Sequence, residues 1–385
     1  MRRLVGSIAG TLVLVSVAAW LFTPETRGAV PPAPYPPLPA RDWPLPKDIA
    51  RAVRADALRR AQVRIERSAA LTLDDVAFST ANPVPAPALS DPVVCRYRHD
   101  EPSGTSSKFD CVMESGHVIK VKYGRNPEVH AETAASRLLT MLGYAADHVQ
   151  IIPRLRCYGC PRYPFLLSRL LWLAHVPDPL DPDGYDRGYT DFEWVSIESR
   201  FDAPAIETED VEGWAWYELS RSGAPRGDLD AFRLLAAFLA HWDNKSDNQR
   251  LVCLDEGPAP PDGFCERPLL MIQDLGATFG PVKVNLSGWR DRPLWLDPRE
   301  CRVTMRDLPW KGATYPDVRI SEAGRVQLAQ RLASLSDDAV RRMFFDARFH
   351  EFYSATDDEA DLEAWTAAFL HRVDQIVTAG PCPEQ

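Results

Sequence analysis

The chain has 385 residues, enough to bury a large core in one two-lobed domain or in two domains. Its net charge of −10 and pI near 5.4 argue against a nucleic-acid partner, which needs a basic face, and no Lys/Arg block interrupts the acidic balance. A small phosphorylated ligand is not excluded, because a metal ion and one or two lysines can neutralise phosphates locally.

Met1-Arg2-Arg3 precedes an uncharged run from Leu4 to Phe22, the pattern of a basic n-region and an export signal. The run approaches the ~20 residues that span a bilayer, and the polar TPETRG after it offers no small-x-small cleavage site. Residues 1–28 therefore read as either a signal peptide or a signal anchor. The positive-inside rule places everything after residue 28 outside the cytoplasm: periplasmic, secreted or lumenal. Residues 29–92 read as a tether. AVPPAPYPPLPARDWPLP is extended and holds the folded part off a membrane, and ANPVPAPALSDP is a second linker. Between them an Arg-rich helix is expected near 47–69, packed on the outside, with Ile49, Val53, Ala57 and Ala61 along one stripe.

Folded structure is expected from Val93. VVCRYR, KFDCVME and HVIKVKY read as three strands, with HDEPSGTSSK as the loop between the first two. Lys120 and Lys122 lie on one strand face with Val118, because side chains alternate. Only seven of the 44 basic residues are lysine, and four of those seven (Lys108, Lys120, Lys122, Lys245) fall in stretches of interest below. A helix opens at Pro127 and stops at Gly143, with Ala134, Leu138, Met141 and Leu142 on its apolar arc and Glu132 at the edge of that arc. A carboxylate bordering a packed face wants a cation, and Lys120 is the partner expected for Glu132; helix-dipole compensation accounts for Glu128.

WVSIESRF reads as a strand running into a connection between lobes, with Glu198 near its end. Trp214, Trp216 and Tyr217 read as aromatic core, with a binding wall as the alternative. LDAFRLLAAFLA is a helix apolar on most faces, hence buried, and it delivers HWDNKSDN directly. RLVCL and PLLMIQD follow as two strands joined by a turn, which puts Asp243, Asn248 and Asp274 on adjoining loop ends, close enough to share a metal. Residues 277–318 are irregular, and helices are expected near 321–334, 336–347 and 361–378. Eight cysteines fit an exported, oxidised domain. Cys95/Cys111 and Cys253/Cys265 flank hairpins and are natural staples, and Cys301/Cys382 remain by elimination. Cys157-Tyr158-Gly159-Cys160 reads as a structural disulfide, with a CxxC oxidoreductase motif as the competing reading.

His241-x-Asp243-x-Lys245-x-x-Asn248, then Asp274-Leu275-Gly276, after a strand lysine and a helix glutamate, follow the order of the protein-kinase motifs. The chain resembles an atypical branch of the protein-kinase-like superfamily: secretory-pathway Golgi kinases, HipA-like and CotH kinases, and phosphatidylinositol 4-kinases. The resemblance covers roughly residues 93–280. It implies an α+β fold with a small β-rich N-lobe bearing one helix (93–200) and a larger, mostly helical C-lobe (201–385). It also implies ATP with Mg²⁺ or Mn²⁺ and transfer to a hydroxyl of a protein or glycan acceptor. By position, Lys120 (or Lys122) would hold the α/β-phosphates, with Glu132 paired to it. Asp243 would orient the acceptor, Lys245 would meet the γ-phosphate, and Asn248 and Asp274 would bind metal. Ser106 in the loop and Glu198 near the adenine complete the nucleotide contacts. Departures from the pattern are Trp242 in place of Arg, a loop with the single glycine Gly104, and no Ala-Pro-Glu. They leave the acceptor open, and with it AMP transfer instead of phosphate and a non-catalytic, nucleotide- or partner-binding module.

Overall fold

The computed structural model describes residues 25–27, 47–65, 92–98, 104–173, 188–208, 210–255, 264–309, 312–351 and 361–384. The apolar run 4–22, the proline-rich segment, nearly all of the second linker and the acidic loop 174–187 lie outside the described residues. The strands are β1 (Thr26–Arg27), β2 (Val93–Arg98), β3 (Lys108–Met113), β4 (Val118–Lys122), β5 (His148–Tyr158), β6 (Gly188–Ser199), β7 (Gln249–Cys253), β8 (Pro268–Ile272), β9 (Arg302–Val303) and β10 (Val318–Arg319). The helices are α1 (Lys47–Arg60), α2 (Pro127–Met141), α3 (Pro164–Leu173), α4 (Arg226–Leu239), α5 (Leu286–Arg290), α6 (Glu322–Ala333), α7 (Asp337–Asp346) and α8 (Leu362–Val377). The fold is α+β and divides into two units: one takes residues from 1–40, 83–126 and 150–199, the other from 41–82, 127–149 and 200–385. Helices α1 and α2 belong to the second unit.

In the first unit, strict alternation along the strands separates two faces. Phe109, Cys111, Ile119, Val121, Val195 and Ile197 are buried in one apolar cluster. The residues between them form a charged face. Lys120 stands opposite both Asp110 and Glu198, and Lys122 opposite both Lys108 and Ser196. The strand order is β1-β6-β4-β3-β2-β5, and β5 pairs in addition with β6. Residues 148–173 form the 11-residue β5 and the 10-residue α3. The edge strand β1 pairs Thr26 with Tyr189 and Arg27 with Gly188. The chain therefore joins this unit before the proline-rich segment, so that segment does not separate the unit from the apolar run.

In the second unit α4 packs along α6, and all of Leu229–Leu239 is buried, as its all-round apolar sequence requires. Phe238, Phe279, Trp289, Phe344, Phe349, Trp365 and Phe369 make the aromatic centre of the core. Helix α1 ends at Arg60, and its expected stripe is only half used: Ile49 is exposed while Ala57 and Ala61 are buried. It is held by a buried arginine as well. Arg54 donates to the Gly213 carbonyl at 2.7 Å and to Glu218 at 3.1 Å. Helix α2, expected to be one-sided, buries Arg137 too, against Asp346 at 2.8 Å. Helices α6, α7 and α8 are each started by a side-chain cap, from Ser321, Ser336 and Asp361. All four expected disulfides are present: Cys95–Cys111, Cys157–Cys160, Cys253–Cys265 and Cys301–Cys382.

Helix α4 ends on Ala240 in the left-handed region, φ 55°, where its N–H closes back on Ala236 and Ala237. A β-carbon there costs about 1 kcal/mol that glycine avoids. Ala240→Gly is expected to raise unfolding free energy by about 0.5–1 kcal/mol, read as a higher urea midpoint at unchanged slope. An unchanged or lower midpoint would contradict this account of the helix end.

Candidate functional site

The left-handed turn at Ala240 reverses the chain into the loop His241–Asn248, and two buried amides fix that loop. The Asn244 side chain is fully buried and fully used. Its Oδ1 accepts the N–H groups of Thr314 (2.9 Å) and Tyr315 (3.0 Å), and its Nδ2 donates to the carbonyls of His241 (3.1 Å) and Trp242 (3.3 Å). The Asn248 Nδ2 donates to the Asp243 carbonyl at 2.7 Å, which commits that nitrogen and leaves Oδ1 as the ligand atom. Gly213, at φ 61°, passes directly beneath: a β-carbon there would lie 2.1 Å from the Gln249 carbonyl oxygen and 2.2 Å from that of Ser246. Neither Asn244 nor Gly213 is marked by spacing in the sequence, since each acts on backbone distant in the chain.

The β7–β8 ladder closes the arrangement. Gln249 stands opposite Ile272, and the Gln273 N–H bonds the Asn248 carbonyl at 3.0 Å. Asp274 therefore leaves the ladder at the end where Asn248 enters it. It sits at φ 52°, a conformation that Asp tolerates better than most residues. The Trp214 indole N–H, buried as expected, straps the same ladder by bonding the carbonyls of Arg250 and Met271. Gly276 allows close approach of α2: a β-carbon there would come within 2.9 Å of Glu128 Cβ. The two carboxylates feel each other. Burial, with the Asp274 charge adding to it, pushes the Asp243 carboxyl above its ordinary range, while Lys245 opposes the rise. Asp243 Oδ1 is buried with no hydrogen-bond partner. Lys245 lies 3.4 Å from Asp247.

His241 begins this loop fully buried, with both ring nitrogens unbonded. Burial pulls its pKa down from 6.5 to about 4, against the attraction of Asp274. Because the folded-state value is depressed, the neutral ring is the folded form. Its contribution is complete above pH 6.5 and is lost progressively as pH falls towards 4. Between pH 7 and 4.5 this one group is expected to remove about 2 kcal/mol of stability. His241→Leu should flatten the pH dependence of urea unfolding by that amount, and identical slopes in the two proteins would refute it.

The first unit places the other predicted residues. Lys120 Nζ lies 2.9 Å from Glu198 Oε1, and Lys122 Nζ lies 3.7 Å from Glu198 Oε2. The Lys120 side chain is 30 % exposed and that of Lys122 only 4 %, so of the two Lys120 is the more accessible to a ligand. Glu198, expected beside an adenine ring, is a buried carboxylate between two strand lysines. Ser106 is half-buried just ahead of β3. Glu132 is buried in α2 of the second unit, with Asp243, Lys245, Asn248 and Asp274 in that same unit. Both sulfurs of Cys157–Cys160 are inaccessible, which removes the exposed thiolate that a CxxC oxidoreductase needs.

No protein-family model matches the chain, and no curated protein matches it. Among solved structures it is similar to the Helicobacter pylori proinflammatory kinase CtkA, with 8 % identity over 71 % of this chain and 92 % of that one and a TM-score of 0.37. It is similar as well to the golgi casein kinase, with 12 % identity over 91 % of this chain and 94 % of that one and a TM-score of 0.34. At these scores the likeness carries no weight of its own, and the functional reading rests on the residues.

Proposed function

We propose that the chain is an exported, metal-dependent ATP phosphotransferase of the kinase-like class, acting on hydroxyls of a protein or glycan. The observation that carries this is the convergence of Asp243, Asn248 and Asp274 at one end of the β7–β8 ladder, in the motif order of the kinases. The donor set fits a hard divalent cation. Asp274 offers a carboxylate and Asn248 an amide oxygen, and beside them one carboxylate oxygen, Asp243 Oδ1, is buried without a hydrogen bond. The raised Asp243 carboxyl fits a site whose negative charge a cation would balance.

Asn248 and Asp274 would hold Mg²⁺ or Mn²⁺, which when bound neutralises phosphate charge. Asp243 orients the acceptor hydroxyl and takes its proton as the hydroxyl oxygen bonds the γ-phosphorus, with ADP leaving. Lys245 offsets charge on the transferred group. Lys120, with Lys122 as second candidate, takes the α/β-phosphates; Glu132, Glu198 and Ser106 are the remaining proposed nucleotide-side residues. Four disulfides and the basic, apolar N-terminal sequence support an extracytoplasmic location.

The test incubates the full chain with Mg²⁺ or Mn²⁺ and ATP labelled at either the γ- or the α-phosphate, against envelope proteins and glycans of its host. Transfer of the γ-label is expected. Transfer of the α-label would replace this reading with AMP transfer. Thermal stabilisation by Mg-ATP with neither label transferred would make the protein a non-catalytic nucleotide-binding module.

A further inference from the structure

Helix α3 is apolar on the side that faces away from its own unit. At 100° per residue, Pro164, Leu167 and Ser168 form its buried arc, against β3. The opposite arc carries Tyr163, Leu166, Leu170 and Leu173 at spacings of three and four, and Trp172 stands about 100° round from Leu173, in the last turn of the helix. All five are exposed, Trp172 at 59 % and Leu173 at 62 %. The one cation on that arc, Arg169, bonds the Gly104 carbonyl at 2.8 Å and lies over the Phe165 ring. A soluble surface seldom carries such a continuous apolar stripe without something that covers it.

A second, independent contact says where this stripe is held. Arg162, one residue ahead of the stripe, pairs with Glu25 at 3.3 Å, and the Glu25 N–H bonds Thr190 Oγ1 at 3.1 Å. Thr190 in turn bonds the Cys160 carbonyl at 2.8 Å. Glu25 is thus clamped at the start of α3, and β1 continues directly into pairing with β6. Phe22, the end of the apolar run, is three residues before Glu25 and so can lie at most about 10 Å from it. Helix α3 is itself about 15 Å long. A run that ends at the outer face of a bilayer therefore brings α3 to the depth of the lipid headgroups.

We infer that the exposed face of α3 beds into the outer interface of a phospholipid bilayer, as a second contact beside the apolar run. The inference rests on the reading of residues 4–22 as an uncleaved anchor. The composition suits it: Trp172 and Tyr163 are residues that favour the interface, the leucines supply the apolar face, and Arg169 can reach the headgroups.

The test reconstitutes the full chain in phosphatidylcholine–phosphatidylglycerol vesicles that contain acyl-brominated lipid, which quenches tryptophan at short range. Trp20, in the apolar run, reports the anchor, and Trp172 reports α3. Trp20→Phe and Trp172→Phe are each expected to remove a distinct quenched component. Leu166→Ser with Leu170→Ser should cut the Trp172 component by more than half and leave that of Trp20 unchanged. Quenching of Trp20 with none from Trp172 would overturn the inference and leave the anchor standing. Quenching of neither would overturn both. Quenching of Trp172 alone would keep the α3 contact and refute the anchor. A dimer that the serine pair dissociates, with Trp172 unquenched, would assign the stripe to a second copy of the chain and overturn the inference.

Discussion

Asp274→Asn is expected to abolish the thermal stabilisation of the full chain by Mg-ATP and to lower phosphate transfer by at least about 100-fold. The substitution removes one charge and keeps the shape of the side chain. It also keeps the backbone, because Asn is as tolerant as Asp of the left-handed conformation found at this position, φ 52°. The substituted protein should therefore keep its fold. Burial chiefly raises the Asp243 carboxyl and the Asp274 charge adds to it, so taking that charge away lessens the repulsion between the two. This pairing of outcomes separates a ligand role from a structural one. A residue that merely supports the loop would lower the melting temperature in buffer and leave the nucleotide response proportionate. An Asp274→Asn protein that Mg-ATP stabilises as strongly as wild type would remove the central claim about this site. Asp243→Asn should behave differently, with nucleotide stabilisation largely kept and transfer lost, because its role is to orient the acceptor rather than to hold the cation.

Local residues of this site are legible in the sequence because they depend on local rules. The strand lysines follow from period-two alternation, and the burial of α4 from an apolar sequence on all faces. Asn248 and Asp274 follow from two short apolar runs joined by a turn, which can only bring their outer ends together. The disulfides were readable for the same reason where they close hairpins, Cys95–Cys111 and Cys253–Cys265. What stays hidden is contact between distant backbone segments. Nothing in the sequence links Asn244 to Thr314 and Tyr315, or Arg54 to Gly213, because the recipient is a carbonyl or an N–H that every residue carries. The lysines beside Glu198 are hidden for a related reason: its strand position is visible, but its partners depend on the register of β6 against β4, which a single sequence does not fix. Helix α3 stays hidden because its exposed positions are as apolar as its buried ones, and in β5 the alternation of Arg154 and Arg156 with buried Leu155 and Cys157 covers only the last residues, after Pro153.

Arg372 is the clearest of these hidden contacts, and its replacement should have the largest effect on stability. It is fully buried in α8, and burial works against its charge, lowering its pKa, with Arg292 adding to the effect. Carbonyl oxygens compensate. Its guanidinium donates to Phe238 at 3.0 Å and Ala237 at 3.2 Å, both in the last turn of α4, and to Trp289 and Arg292 at 2.8 Å each, around the end of α5. It also lies over the rings of Phe238 and Trp289, at 5.6 and 5.3 Å from their centroids. One side chain thus adds a second donor to two carbonyls at the end of the helix that delivers the Asp243 loop, beside the Ala240 N–H on Ala237 and the Trp289 indole N–H on Phe238, and a positive charge there complements the helix dipole. Methionine would match much of the volume, but it would remove all four bonds and leave the Trp289 and Arg292 carbonyls without the donor that Arg372 supplies, a loss of about 3–5 kcal/mol. For a unit of this size that corresponds to a melting temperature lower by on the order of 10 °C. Lysine should recover only part of it, since a point charge on a flexible stem cannot reach four acceptors that a planar fork spans. The His241–Asn248 loop begins three residues after Phe238 and one helical turn of support would be gone, so phosphate transfer should fall even below the new melting temperature. Urea unfolding of Arg372→Met and Arg372→Lys decides the matter: two proteins of equal stability, or either within about 1 kcal/mol of wild type, would mean that the carbonyls find other donors and that α4 is terminated by packing alone.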